Sequence, residues 1–151
     1  MTKPVLFCYD GSDGSKTALT AAVELIKPAD AVVLVVWTPA AVQLARDGAF
    51  VIAIPNEGEI DEAEAATALR IAEEGAAGAR TRGYNASARI AQANESVAKT
   101  IDEIAQEIDA GLVVCGQRGR GAIGSALLGS VSHALAAHTK RPVLIAPQHP
   151  S

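Results

Sequence analysis

The sequence predicts an α/β fold, a doubly wound five-stranded parallel sheet with helices on both faces. Three observations carry that prediction: apolar runs without polar alternation, helical segments with one apolar stripe between them, and polar or glycine-rich turns where the runs end. Strands that alternate with helices run parallel, and a sheet covered on both faces needs strands that are apolar along their length. Crossovers of this kind are right-handed almost without exception.

Taken in order, Pro4–Tyr9 (PVLFCY) is short and apolar enough for the first strand. The polar stretch Asp10-Gly11-Ser12-Asp13-Gly14 supplies the turn, and Ser15 is the expected cap of the first helix. Ala18, Leu19, Ala22, Val23, Leu25 and Ile26 recur at helical spacing until Pro28, which cannot continue the ladder. Ala31–Trp37 (AVVLVVW) reads as a strand buried on both faces. Over residues 38–58 the periodicity fails, and the apolar Ala49–Ile54 segment stays open between a short strand, a helical turn and a flap. Glu57, Glu59, Asp61, Glu62 and Glu64 then crowd the start of an Ala-rich helix, where acids suit the dipole, and Arg80, Arg82 and Gly83 mark its end. Ala86–Ala91 (ASARIA) is the weakest strand signal. Asn94 or Ser96 caps a helix whose Val97, Ile101, Ile104 and Ile108 form one stripe. Leu112–Cys115 is the fourth strand, Ser130–His138 the last helix and Pro142–Ile145 the fifth strand.

A chain of 151 residues with 49% hydrophobic and 20% charged residues has the composition of one domain, residues 1–151. The net charge of −4 offers no attraction to nucleic-acid backbones or anionic lipid, and 3% aromatics provide no stacking platform for bases. The longest apolar run falls short of a bilayer span, and Met1-Thr2-Lys3-Pro4 lacks a signal-peptide core, so a soluble cytoplasmic protein is expected. Cys8 and Cys115 sit inside apolar runs without metal spacing and read as reduced core thiols. A disulfide becomes geometrically feasible only if their strands are neighbours. His133, His138 and His149 are too scattered for a ligand set, and the acidic run reads as a solvated helix start, so no metal site is encoded.

The chemistry concentrates in Val113-Val114-Cys115-Gly116-Gln117-Arg118-Gly119 and the Gly129-Ser130 that follows. A strand running into a glycine loop and then a helix start presents backbone N–H groups to an anion, because glycine has no side chain to hold the ligand away. The loop is no Walker A motif: neither Gly116–Gly121 nor Gly124–Gly129 is followed by the required lysine. Gly119-Arg120-Gly121-Ala122-Ile123-Gly124 matches the dinucleotide fingerprint, but it lies beside the last strand instead of the first and lacks the acidic residue downstream.

The spaced motif Gly116-x2-Gly119-x9-Gly129-Ser130 resembles the universal stress protein family in its ATP-binding branch. Asp10-Gly11-Ser12 with Ser15, Leu127–Ser132 and the closing Pro142–Ile145 carry the same resemblance, which spans essentially the whole chain. It implies a Rossmann-like, adenine nucleotide alpha-hydrolase-like fold. It places Asp10 at the ribose and the backbone around Trp37 at the adenine edge. Cys115 and Gly116 would line the nucleoside, and Gly119, Gly129, Ser130 and Val131 would hold the phosphates. It further implies ATP with Mg²⁺ bound through the phosphates, a nucleotide-dependent conformational or partner switch in the stress response, and a homodimer paired through the C-terminal edge strand. Arg118 and Arg120 flank the loop and are added here as cations that neutralise phosphate oxygens. Two departures stand out: Glu95-Ser96-Val97 replaces a Gly-x-Pro turn, and Gly111 stands where an Asp usually precedes the fourth strand.

No general base, catalytic lysine or Ser-His-Asp spacing accompanies the loop, so fast phosphoryl transfer is not expected, while slow hydrolysis remains compatible. One rival reading is a nucleotide-independent dimeric interaction module of the same fold. Another is an adenylyl-transferring enzyme of the wider group, but its His-x-Gly-His and Ser-Gly-Gly-x-Asp-Ser signatures are both missing. Replacing Arg120 with Ala is expected to lower nucleotide affinity at low salt by about fivefold, the size of one solvated charge contact. Unchanged affinity by titration calorimetry removes Arg120 from the site.

Overall fold

Burial of the apolar runs on both faces organises the molecule. A computed structural model describes residues 2–48, 54–117 and 128–147. Strands β1 (Val5–Cys8), β2 (Asp30–Trp37), β3 (Asn85–Gln92), β4 (Leu112–Gly116) and β5 (Val143–Ala146) form one parallel sheet in the order β3-β2-β1-β4-β5. Helices α1 (Asp13–Leu25), α2 (Ala40–Arg46), α3 (Glu57–Thr81), α4 (Val97–Glu107) and α5 (Ser130–His138) connect them. Successive strand residues point to opposite faces. Phe7, Val33 and Val114 therefore pack against α1 and α3, and Leu6, Leu34 and Val113 against α4 and α5.

The chain winds outward from β1 through β2 to β3, then returns to β4 and winds the other way to β5. Direction reverses between β1 and β4, and the carboxyl ends of these two strands frame a crevice that no crossover covers.

Helix α3 lies close on the sheet because its inner stripe, Ala68, Ala72, Ala76 and Ala79, is small and fully enclosed. Gly75 marks the tightest approach: a Cβ there would stand 2.8 Å from Val33 Cγ1 and 2.9 Å from the Tyr9 ring. Beyond the helix, the Tyr84 ring meets Phe7 edge-on at 5.5 Å, and its hydroxyl donates to the Ile26 carbonyl at 3.1 Å. This contact ties the end of α1 to the strand that follows α3.

Several boundaries differ from the sequence expectation for local reasons. Ser12, not Ser15, caps α1, its Oγ accepting from the Ser15 N–H. The positive φ of Gly11 lets the turn close early, with the Asp10 carboxylate accepting from the Ser12 N–H. Of the two candidate caps for α4, Ser96 is the one used, accepting from the Lys99 N–H. Gly111 is explained by its neighbour, since a Cβ would lie 2.9 Å from Lys3 Cβ. Within 38–58 the structure has α2, anchored where its first amide, on Ala40, donates to the Asp61 carboxylate at 3.0 Å. Of the segment left open, residues 49–53 lie outside the described residues. No described helix is long and apolar enough to cross a membrane.

Gly75→Ala is expected to destabilise the fold by about 1–3 kcal/mol through overpacking against Val33 and Tyr9. Chemical denaturation reads this as a lowered midpoint. An unchanged midpoint means that α3 lifts off the sheet without penalty.

Candidate functional site

A cleft of about 670 Å³ opens at the carboxyl ends of β1, β2 and β4. Asp10, Trp37, Cys115, Gly116, Gly129, Ser130 and Val131 all line it, so residues spread over most of the sequence converge on one space. Gly119 and Arg120, like Arg118, lie outside the described residues.

Each wall is fixed by a short network. On the β1 side, Asp10 is half-buried and its Oδ1 accepts from the Ser12 N–H at 2.9 Å. The Ser15 hydroxyl donates to the Ser12 carbonyl at 2.9 Å, which holds the first turn of α1 and with it the orientation of the carboxylate. On the β2 side the ladder to β1 ends with the Tyr9 N–H donating to the Leu34 carbonyl at 2.9 Å. Parallel strands point both groups of alternate residues the same way. Val36 therefore turns its N–H and C=O toward the cleft, whereas the Trp37 carbonyl faces β3 and accepts from the Ala93 N–H at 2.9 Å. The Trp37 indole is half-buried beside the core shared by α1 and α3.

The far wall is the junction of β4 with α5. The Gln117 N–H donates to the Ala146 carbonyl at 2.8 Å. The Gln117 carbonyl in turn accepts from the Gly129 N–H at 2.8 Å and from the buried Ser132 hydroxyl at 2.7 Å. These bonds clamp the start of α5 against the end of β4. The cap residue, Gly129, has no side chain to offer, and the first amide with an intrahelical partner is that of His133, donating to the Gly129 carbonyl at 2.9 Å. The N–H groups of Ser130, Val131 and Ser132 thus have no helical acceptor, and the partial positive charge of the helix start adds to them. Helices α1 and α4 begin with a serine that caps, whereas α2 and α3, like α5, have no N-cap side chain that bonds, the first α2 amide being taken instead by the Asp61 carboxylate. An uncapped helix start beside an open cleft suits an oxyanion.

The floor holds the two thiols. Burial pushes the buried Cys115 up to about 11, and burial, Cys115 and Asp10 together push Cys8 well above its ordinary value. Among the described residues no group of three or more His, Cys, Asp and Glu could hold a metal ion.

Several lining residues were not assigned to the site from the sequence, Glu64 among them, which reads there as part of a solvated helix start. Gln43 and Arg46 of α2 and Glu64 and Thr67 of α3 stand at the mouth. They belong to no motif, and only the fold brings them there. Ser132 lies two residues past the recognised Gly129-Ser130 pair, and a serine in a first helical turn is a signal for a backbone clamp. Ser132→Ala is expected to cost about 1 kcal/mol of stability, a net side-chain hydrogen bond. It should also speed hydrogen exchange at the Gly129 amide, and unchanged exchange would show that the hydroxyl does not hold the junction.

Comparison with known proteins places this geometry. UspA from Lactobacillus plantarum superimposes with a TM-score of 0.76 at 23% identity, covering 95% of this chain and 97% of its own. The universal stress protein from Archaeoglobus fulgidus, in complex with dAMP, gives a TM-score of 0.62 at 20% identity with 95% and 97% covered. A universal stress protein family member from Arabidopsis thaliana with AMP bound gives 0.64 at 16% identity with 98% and 93% covered. At these identities the likeness is one of fold. No curated protein sequence matches the chain significantly. The sequence profile of the universal stress protein family matches residues 1–147, and the chain belongs to that family.

Proposed function

We propose that the cleft binds an adenine nucleotide, ATP with Mg²⁺ riding on its phosphates, and that occupancy sets the conformation or partner affinity of a cytoplasmic one-domain stress protein. The observation that carries this reading is the uncapped start of α5, whose three leading amides face a cleft that also contains a carboxylate and an open strand end. Phosphate oxygens accept from the amides of Ser130 and Val131 and from the Ser130 hydroxyl, with Gly129 permitting close approach. Gly119 and Arg120 complete the phosphate side in this reading. The Asp10 carboxylate accepts from ribose hydroxyls, Cys115 and Gly116 line the nucleoside, and the backbone beside Trp37, through Val36, reads the adenine edge. Bound dAMP and AMP in the Archaeoglobus fulgidus and Arabidopsis thaliana proteins support an adenine nucleotide as the occupant. Nothing in this role requires turnover.

The sheet edge is common to this reading and to its rival, a nucleotide-independent interaction module. Strand β5 lies at the edge of the sheet, with Val143, Leu144 and Ile145 only half-buried. An edge strand of this kind can pair across a two-fold axis. A homodimer built this way serves a nucleotide switch and a nucleotide-independent interaction module equally.

Gly129→Asp separates the two. A carboxylate at the cap satisfies the α5 amides itself and repels phosphate, so nucleotide affinity should fall by about 100-fold or more, two charge-assisted hydrogen bonds' worth. Thermal stability and dimerisation should stay intact. Unchanged affinity by titration calorimetry, or no heat with the unaltered protein, contradicts the nucleotide reading. Retained function in cells despite lost nucleotide binding favours the interaction module.

A further inference from the structure

We propose that Cys8 and Cys115 form a two-thiolate site for a soft divalent cation that prefers two ligands, of which the mercuric ion is the type. The sheet register creates the pair. Val5, Leu6 and Phe7 of β1 stand opposite Leu112, Val113 and Val114 of β4, so the next residues, Cys8 and Cys115, face each other at the reversal of winding. Alternation puts both thiols on the face of Leu6 and Val113, and both belong with Ile101 and Leu135 in the core beneath α4 and α5. Both also line the cleft, together with Val97, Val131 and the Asp10 carboxylate, so the site is largely apolar yet reached from solvent.

Spacing decides what the pair can bind. Neighbouring strands run about 4.8 Å apart, and parallel side chains opposite one another keep about that separation. A disulfide needs Cβ atoms about 3.8 Å apart, so forming one would pinch two central strands that are each bonded on both sides. A linear bridge of two metal–thiolate bonds of about 2.3 Å spans about 4.6 Å, which fits without moving the sheet.

Charge then selects the cation. The divalent ion displaces one proton from each thiol, both protons go to solvent, and two sulfur–metal bonds replace two S–H bonds. The product is uncharged overall and suits an apolar floor, whereas a monovalent soft cation leaves a buried anion there. Zinc asks for four donors, and the described residues provide no cluster of even three. The site does not depend on the cleft binding a nucleotide.

The test uses the whole reduced chain, free of nucleotide, titrated with mercuric chloride against excess 2-mercaptoethanol. One ion per chain should protect both cysteines from alkylation, read by intact mass. Retention against the competitor should exceed that of Cys8→Ala and Cys115→Ala by about 10-fold or more, since the second thiolate binds intramolecularly. Two ions per chain, one ion protecting a single thiol, or retention equal to either variant overturns the proposal. Should Cys115→Ala fail to fold, the stoichiometry and protection pattern of the unaltered chain decide the matter alone.

Discussion

Three backbone amides at the start of α5 set the terms for the rest of the molecule. An N–H group removed from water without an acceptor is costly, and most helices meet that cost with a side chain. Here the cap is Gly129, and the first turn is held in place by bonds that consume other groups: the Gln117 carbonyl takes the Gly129 amide and the Ser132 hydroxyl. The junction is thereby clamped, while the leading amides have no acceptor among the described residues. A site built from main-chain donors needs such a scaffold, because its precision comes from the position of the backbone and not from any one side chain.

That scaffold is the sheet. Reversal of winding leaves the carboxyl ends of β1 and β4 uncovered, and three consequences follow from the same register. Asp10 and the start of α5 line the same cleft, Val36 is left with its peptide groups beyond the last bond to β1, and the two cysteines stand next along the β1–β4 register. The small stripe of α3 draws that helix close enough for Thr67 and Ala68 to form part of the wall. Packing and site meet at this contact: the alanines and Gly75 bring α3 down on Val33 and Tyr9, and Tyr9 and Ala68 line the cleft.

The fold was legible in the sequence where burial is two-sided or strongly one-sided. Val32–Val36 announce a covered strand, and Ile101 and Ile104 a helix stripe, because each must avoid water along its length. Helix α2 was illegible for the converse reason: Ala40–Arg46 bury no side chain fully, so no periodicity marks them. The cap of α1 was misplaced by three residues because Ser12 and Ser15 both suit the role, and only the turn at Gly11 chooses between them. The glycine–serine motif pointed to one wall of the cleft, which Gly116, Gly129 and Ser130 line at the junction of β4 with α5. The wall at the end of β2 depends on which peptide groups outrun the neighbouring strand, a matter of register that leaves Val36 rather than Trp37 facing the opening. The thiol pairing was likewise conditional on strand order, which no local pattern encodes.

The most direct measurement is the amide spectrum of ¹⁵N-labelled protein titrated first with adenosine and then with an adenine nucleotide. If the open start of α5 grips phosphate, the Ser130 and Val131 resonances move strongly with the nucleotide and barely with adenosine. If they stay in place while the nucleotide binds elsewhere, or if neither ligand shifts any resonance of the cleft, the account is contradicted.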